Sequence, residues 1–159
     1  MGRIRDKNRK CDERLLMYNI LVDSCFWYAL FDERDEHHAL AQKMENYLEF
    51  GNIILPFPIL YETLNTRFAK RENWMSGLNE YMSRETTILV PDTEYRKKAL
   101  SGTFFNALTP RGKRPMALVD MSIRLMLEDI KLDITALITF NEDDFTDICH
   151  SKRIELISE

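Results

Sequence analysis

The hydrophobic residues of this chain form two kinds of pattern, short continuous runs and longer stretches with helical spacing. The short runs lie at residues 20–22, 53–55, 87–90, 134–140 and 154–157. Continuous apolar runs of this length are typical of strands that are covered on both faces of a parallel sheet. They predict five strands, each separated from the next by a segment of helical character.

Helices are predicted between these strands, over residues 25–31, 35–50, from 58 onward, around 74–81, 91–105 and 116–130, with a short helical turn at 145–148. Asp35 and Pro58 suit the starts of helices, and Gly51 suits the end of one. Strands that alternate with helices imply right-handed crossovers. The predicted fold class is therefore α/β, a three-layer α/β/α sandwich with a central, mainly parallel sheet.

The first residues differ from the rest of the chain, because residues 1–16 hold six basic and three acidic side chains with only scattered apolar ones. They predict a mobile arm, with a short arm that contacts nucleic acid as the alternative. Residues 17–159 predict one domain, as the length suggests. No apolar run approaches the roughly 20 residues of a membrane helix, and the charged start does not match a secretory signal.

The overall composition is that of an ordinary globular protein, with 45% hydrophobic and 30% charged residues. A net charge of −4 argues against a protein that coats nucleic acid by bulk charge, although it leaves room for a local basic groove. The three cysteines form no CxxC pair. We therefore expect neither a disulfide framework nor a cysteine-rich zinc site, and the reducing cytoplasm is the expected location.

Polar residues follow the first and fourth predicted strands at the point where each strand ends. Asp23 follows the first strand, and Asn141 follows the fourth together with the acids at 142–144. Ligands of open α/β sheets bind outside the carboxyl ends of the strands. Two further acids, Glu62 and Asp120, lie within predicted helices, and Asp120 flanks the apolar stripe of its own helix.

Each of these acids taken alone is more simply explained by a structural role. Asp23 can cap the helix that follows it, Glu62 can lie in solvent, and Asp120 can pair with Arg124 four residues on. Taken together, four segments bring oxygen ligands towards one edge of the sheet. Crowded carboxylates raise one another's pKa, and a hard cation such as Mg²⁺ or Mn²⁺ removes that cost. Such a site can activate water and bind a phosphate.

Three stretches of the sequence carry a resemblance to a known family. They are ILVDSCFWYALFDERDEHHALA, ILPFPILYETLNT and MALVDMSIRLMLEDIKLDITALITFNEDDF, which occur in this order over most of residues 18–145. In this order they resemble the PIN-domain family, most of all the VapC-type toxin ribonucleases. The resemblance implies a PIN-like fold and metal-dependent cleavage of single-stranded RNA.

By position, the resemblance assigns metal binding to Asp23, Glu62 and Asp120. Asn141 stands where many relatives have Asp, so it brings an amide oxygen without a charge. That leaves open whether Asp143 or Asp144 compensates, and Asp144 is included with the other four residues in the predicted catalytic set. Ser24 resembles the small hydroxyl residue that follows the first Asp in the family.

A basic loop precedes the helix that holds Asp120, and its charged side chains are those of Arg111, Lys113 and Arg114. A basic loop beside an acidic metal site suits a polyphosphate substrate, so these three residues and Ser24 are candidate RNA contacts. Trp27, Phe104 and Phe105 are able to stack on bases, but packing in the core is the simpler expectation.

The resulting hypothesis is an Mg²⁺- or Mn²⁺-dependent endoribonuclease acting on single-stranded RNA. The resemblance further implies the toxin of a toxin–antitoxin pair, a cognate antitoxin protein and a homodimer. The alternative, which Asn141 favours, is a PIN scaffold that binds RNA or a protein partner without cleaving. A haloacid-dehalogenase-like phosphatase fits less well because its second Asp would stand where Cys25 is found. The adjacent His37 and His38 lack a zinc-binding spacing.

Overall fold

The computed structural model describes residues 18–109 and 114–159, and within them five strands form one sheet. The strands are β1 (Tyr18–Val22), β2 (Gly51–Pro56), β3 (Thr87–Val90), β4 (Ala136–Ile138) and β5 (Glu155–Ile157). Their order across the sheet is β3-β2-β1-β4-β5, and every neighbouring pair is parallel. The predicted parallel sheet is confirmed.

Helices connect the strands, as the alternating pattern predicts. They are α1 (Ser24–Phe31), α2 (His38–Met44), α3 (Phe57–Thr63), α4 (Thr66–Ala69), α5 (Glu72–Met82), α6 (Arg96–Leu108), α7 (Leu118–Glu128) and α8 (Thr146–Lys152), with short 3₁₀ helices at Glu45–Glu49, Ile130–Leu132 and Glu142–Asp144. Helix α1 contacts α2 and α5, and helix α7 contacts α6 and α8. The predicted α/β sandwich is confirmed.

Strand β1 occupies the centre of the sheet, where Ile20 pairs with Ile53 on one side and with Ala136 on the other. Its residues Ile20, Leu21 and Val22 are almost completely buried. A strand between two neighbours and two helical layers has no face in solvent, which explains why its sequence is a continuous apolar run. The position of β1 also places the residue that follows it near the middle of the sheet edge.

Two predicted elements have different bounds in the structure. The helix expected from Asp35 begins at His38, because the Asp35 side chain accepts a hydrogen bond from the His37 backbone and closes a turn instead (2.9 Å). Gly51 begins β2 rather than ending a helix. A Cβ at this position would lie 2.1 Å from the carbonyl oxygen of Tyr18, so the close approach of β1 requires glycine.

The two adjacent histidines have separate packing roles. The His37 ring stacks on Phe140 with centroids 4.4 Å apart, and His38 Nδ1 lies 2.7 Å from the carbonyl oxygen of Ala29. They face different partners and do not form a joint metal site.

Some predicted features fall outside the described residues, namely the N-terminal arm 1–16 and the loop residues Arg111 and Lys113. Across 18–109 and 114–159, no helix combines the length and the apolar character that a membrane crossing requires.

Candidate active site

The carboxyl ends of β1 and β4 lie side by side and place Asp23 next to Thr139. The backbone N–H of Asp23 donates to the carbonyl oxygen of Ile138, which extends the pairing of these strands (3.0 Å). Asp23 is also the N-cap of α1, where its Oδ1 accepts the backbone N–H of Ser24 (2.7 Å). The cap and the central strand together hold a buried carboxylate at the sheet edge.

The second oxygen of the Asp23 carboxylate is held by two neutral donors. The Thr139 hydroxyl donates to Oδ2 over 2.7 Å, and the Cys25 thiol donates to the same atom over 3.2 Å. Burial, followed by the nearby Asp23 carboxylate, raises the pKa of the Cys25 thiol. Cys25 is therefore a protonated hydrogen-bond donor and not a nucleophile.

Glu62 reaches the site from α3, the helix that follows β2. The Ser24 hydroxyl donates to the Glu62 carboxylate, and the Ser24 backbone binds Asp23. Ser24 thus links two of the predicted acids although they lie far apart in the sequence. Because Glu62 itself is exposed to solvent, its carboxylate is accessible from outside.

Asp120 lies in the first turn of α7 and faces the other acids. Its pKa is raised to about 6, chiefly by burial and then by the carboxylates of Asp23, Asp144 and Glu62 in that order, while a hydrogen bond from the Ala117 backbone opposes the shift. Repulsion from three carboxylates on three other segments indicates that all four lie near one another. The alternative pairing of Asp120 with Arg124 does not occur.

Arg124 instead fixes the segment that carries Asp144. Its guanidinium forms two hydrogen bonds with the Asp147 carboxylate, of 2.6 and 2.7 Å, and a third with the carbonyl oxygen of Asp144, of 2.6 Å. A planar guanidinium suits this paired geometry. These three hydrogen bonds hold the Glu142–Asp144 turn and the start of α8 against α7.

Replacing Arg124 with Gln is expected to lower the free energy of unfolding by about 1 kcal/mol, since Asp147 is largely exposed and its ion pair is screened. Chemical denaturation measures this loss. Arg96→Gln is the matched control, because Arg96 makes only a 3.5 Å contact with Thr93. Equal losses in both variants would contradict the anchoring role of Arg124.

The Asp144 side chain is buried and has two different environments for its oxygens. Oδ2 accepts a hydrogen bond from the side-chain amide of Asn141. Oδ1 is buried without a hydrogen-bond partner. Arg114 Nη1 lies 3.2 Å from it, an ion pair that lacks hydrogen-bond geometry, and also 3.5 Å from Asp143 Oδ2.

The structure thus brings Asp23, Glu62, Asp120 and Asp144 near one another, with Ser24 bonded to Asp23 and Glu62, Asn141 bonded to Asp144, and Arg114 at the rim. Thr139 is a further member that the sequence analysis left unassigned, although it stands two residues before Asn141 in the resembling motif. Arg124 and its partner Asp147 were missed because the contact joins segments that are distant in sequence.

The oxygen atoms of the site are of the type that binds a divalent cation. Among the described residues, no three His, Cys, Asp or Glu side chains are arranged as ligands of one ion. The oxygens present are nevertheless those that a hard cation prefers, and the unpartnered Asp144 Oδ1 is one of them. To bind an ion directly, Glu62 would have to release its hydrogen bond from Ser24. Asp144 would have to release its ion pair with Arg114.

Two solved structures resemble this chain. One is VapC20 of Mycobacterium tuberculosis, described as a sarcin–ricin loop cleaving toxin, with a TM-score of 0.60 and 18% identity over 81% of this chain and 95% of that one. The other is FitAcB of Neisseria gonorrhoeae, with a TM-score of 0.50 and 14% identity over 87% of this chain and 96% of that one. No protein-family model and no curated protein sequence matches. The chain has the VapC-type PIN fold.

Proposed function

We propose that this protein is a metal-dependent endoribonuclease that cleaves single-stranded RNA. One observation carries the proposal: carboxylates from four separate segments lie near one another at the carboxyl edge of the sheet, where burial and then their mutual repulsion raise the pKa of Asp120. Four crowded carboxylates with one arginine, Arg114, beside them cost stability, and a bound cation would lower that cost. The PIN fold supports the same conclusion.

Mg²⁺ or Mn²⁺ would be held chiefly by Asp23 and Asp120, with Asp144 as a further ligand. When bound, such an ion polarises a phosphate and lowers the pKa of a bound water. Glu62, which is exposed, is placed to accept a hydrogen bond from the attacking water or to bind the ion through water. Ser24 orients Glu62 through its hydroxyl.

The remaining residues of the site are proposed to reduce its negative charge or to contact the RNA. Asn141 donates its amide to Asp144 and so lowers the negative charge of the site relative to an Asp at this position. Arg114 would leave Asp144 for a phosphate next to the scissile bond. Arg111 and Lys113 of the same loop are proposed to contact RNA with it.

The proposed partners follow the same analogy. FitAcB is a toxin–antitoxin complex, and we propose a cognate antitoxin protein that covers the acidic site of this chain. We also propose a cytoplasmic homodimer. Exposed apolar side chains around α6 and α7, those of Leu100, Leu108 and Leu118, provide a surface for a second copy.

A second function is favoured by Asn141, namely RNA or protein binding without cleavage. With an amide in place of a carboxylate, and with Arg114 beside Asp144, the site carries less negative charge for a second cation. The second function allows RNA binding, but only the first predicts new RNA ends when metal is added.

A metal titration tests the proposal. The full chain, purified in EDTA, is mixed with an end-labelled single-stranded RNA, and Mg²⁺ or Mn²⁺ is then added. We expect no cleavage in EDTA, cleavage that rises with metal, and slower cleavage of the same RNA in a duplex. Cleavage that persists in EDTA would contradict metal dependence. Binding with no cleavage at any metal concentration would establish the second function instead.

A further inference from the structure

A cleft of about 530 Å³ opens beside the acidic site between α6 and α7. Asp144 and Arg114 line it and also belong to the acidic site, so the two are continuous. The opposite wall is formed by Phe105 and Asn106 of α6, together with Met121 of α7. The volume is within the range of small-ligand sites, and the walls combine apolar and polar groups as such sites do.

The charges that the described residues bring to this cleft favour a neutral group over a phosphate, apart from the phosphate that Arg114 would bind at the rim. Among the described residues that line it, the charged ones are three aspartates and two arginines. Arg124 is already paired with Asp147, and Arg114 lies against Asp144. The arginines are thus matched by carboxylates, with one carboxylate in excess. A neutral planar group that donates hydrogen bonds fits this lining better than an anion does.

The aromatic side chain in the cleft is one that the sequence analysis expected in the core. Trp27 is fully buried as expected, but Phe104 and Phe105 are 59% and 57% exposed. Of these two neighbours on α6, only Phe105 lines the cleft. An exposed ring in a partly apolar cleft is a stacking surface for a nucleobase.

Asn106 supplies the hydrogen-bonding group next to that ring. Its side-chain amide lines the cleft and has no hydrogen-bond partner in the described part of the chain. An amide carries a donor and an acceptor together, so it can pair with the edge of adenine, cytosine or uracil. The Asp147 carboxylate, also in the lining, only accepts hydrogen bonds and therefore favours a base with an exocyclic amino group over uracil.

We propose that this cleft binds one nucleobase of the RNA, beside the bond that the acidic site cuts, and prefers bases with an exocyclic amino group to uracil. Phe105 stacks on the base, and Asn106 contacts its edge. The inference rests on the proposed function, since it takes RNA as the substrate. It adds a preference for sequence that the acidic residues do not supply.

The test measures binding apart from cleavage. The full chain carrying Asp120→Asn serves as the non-cleaving background, and fluorescence anisotropy follows labelled oligoadenylate and oligouridylate. We expect tighter binding of oligoadenylate. Phe105→Ala should weaken that binding by about 5- to 50-fold, as expected for the loss of one stacked base. Phe104→Ala, with equal exposure on the same helix, should change it less than about 2-fold.

Asn106→Leu is the second variant, and we expect it to weaken the binding of oligoadenylate. It keeps the proposal testable if Phe105→Ala fails to fold, which thermal unfolding and size exclusion reveal. Equal effects of Phe104→Ala and Phe105→Ala, or equal binding of the two oligonucleotides to the unmodified cleft, would overturn the base site while leaving the nuclease proposal intact. Failure of both oligonucleotides to bind would instead overturn RNA as the substrate.

Discussion

Asp23→Asn and Asp120→Asn are each expected to abolish metal-dependent RNA cleavage, with a loss of roughly 10³-fold or more. A loss of this size corresponds to about 4 kcal/mol of transition-state stabilisation. Each change removes one negative charge from a pocket where charge is proposed to hold the cation, while the side chain keeps its shape. Single-turnover cleavage of a labelled RNA measures the rate, and circular dichroism verifies the fold.

Both variants are expected to fold. Asn is a good helix N-cap, so position 23 retains its local role at the start of α1. At position 120, Asn removes a carboxylate that is repelled by three others. An undiminished cleavage rate in either variant would refute the assignment, since no other described residue in the site repeats the position of these carboxylates.

The neighbouring acids Asp143 and Asp144 provide an internal comparison. The sequence left open which of them supplies the carboxylate that Asn141 lacks. The structure distinguishes them, because the Asp143 side chain is 86% exposed and the Asp144 side chain is 8% exposed. Asp144 also raises the pKa of Asp120, and Asp143 does not contribute. Asp144→Asn should therefore impair cleavage much more than Asp143→Asn does. The opposite order would contradict the geometry of the site.

The parts of the fold that could be predicted from the sequence are those set by local pattern. A strand covered on both faces has to be apolar throughout, so the run at Ile20–Val22 identified the central strand β1. The residue at its carboxyl end, Asp23, then lies at the sheet edge by topology alone. The convergence of the predicted acids follows from strand order, which the resemblance to the PIN family supplied.

Other features depend on contacts that local pattern does not contain. The spacing of Asp120 and Arg124 permits a helical ion pair, yet Arg124 finds a better partner in Asp147, 23 residues away. Phe104 and Phe105 are apolar residues of the kind usually found in a core. Their burial would require another element to cover that side of α6, which the local sequence does not reveal. The same holds for Asn106, whose cleft exists only because α6 and α7 pack together.

Asp120→Asn is also expected to stabilise the metal-free protein at neutral pH. The folded-state pKa of Asp120, about 6, lies above the ordinary value of 3.8, so the folded state binds the proton more tightly than the unfolded state does. Stability that Asp120 contributes when protonated is lost as the pH rises through about 6. The full shift corresponds to about 3 kcal/mol, and screening by solvent at this half-buried position reduces it to on the order of 1 kcal/mol.

The variant and the wild-type protein should therefore differ most above about pH 7 and converge below about pH 3, where Asp120 is protonated in both states. Denaturation across this range in EDTA measures the difference. Glu128→Gln is the matched control, since it makes the same charge change on the exposed side of α7 and should give no pH-dependent gain. Added Mn²⁺ should stabilise the wild type and not Asp120→Asn, because an ion that binds only the folded state stabilises it. A gain that is equal at all pH values would show that the crowding of the four carboxylates is not its cause.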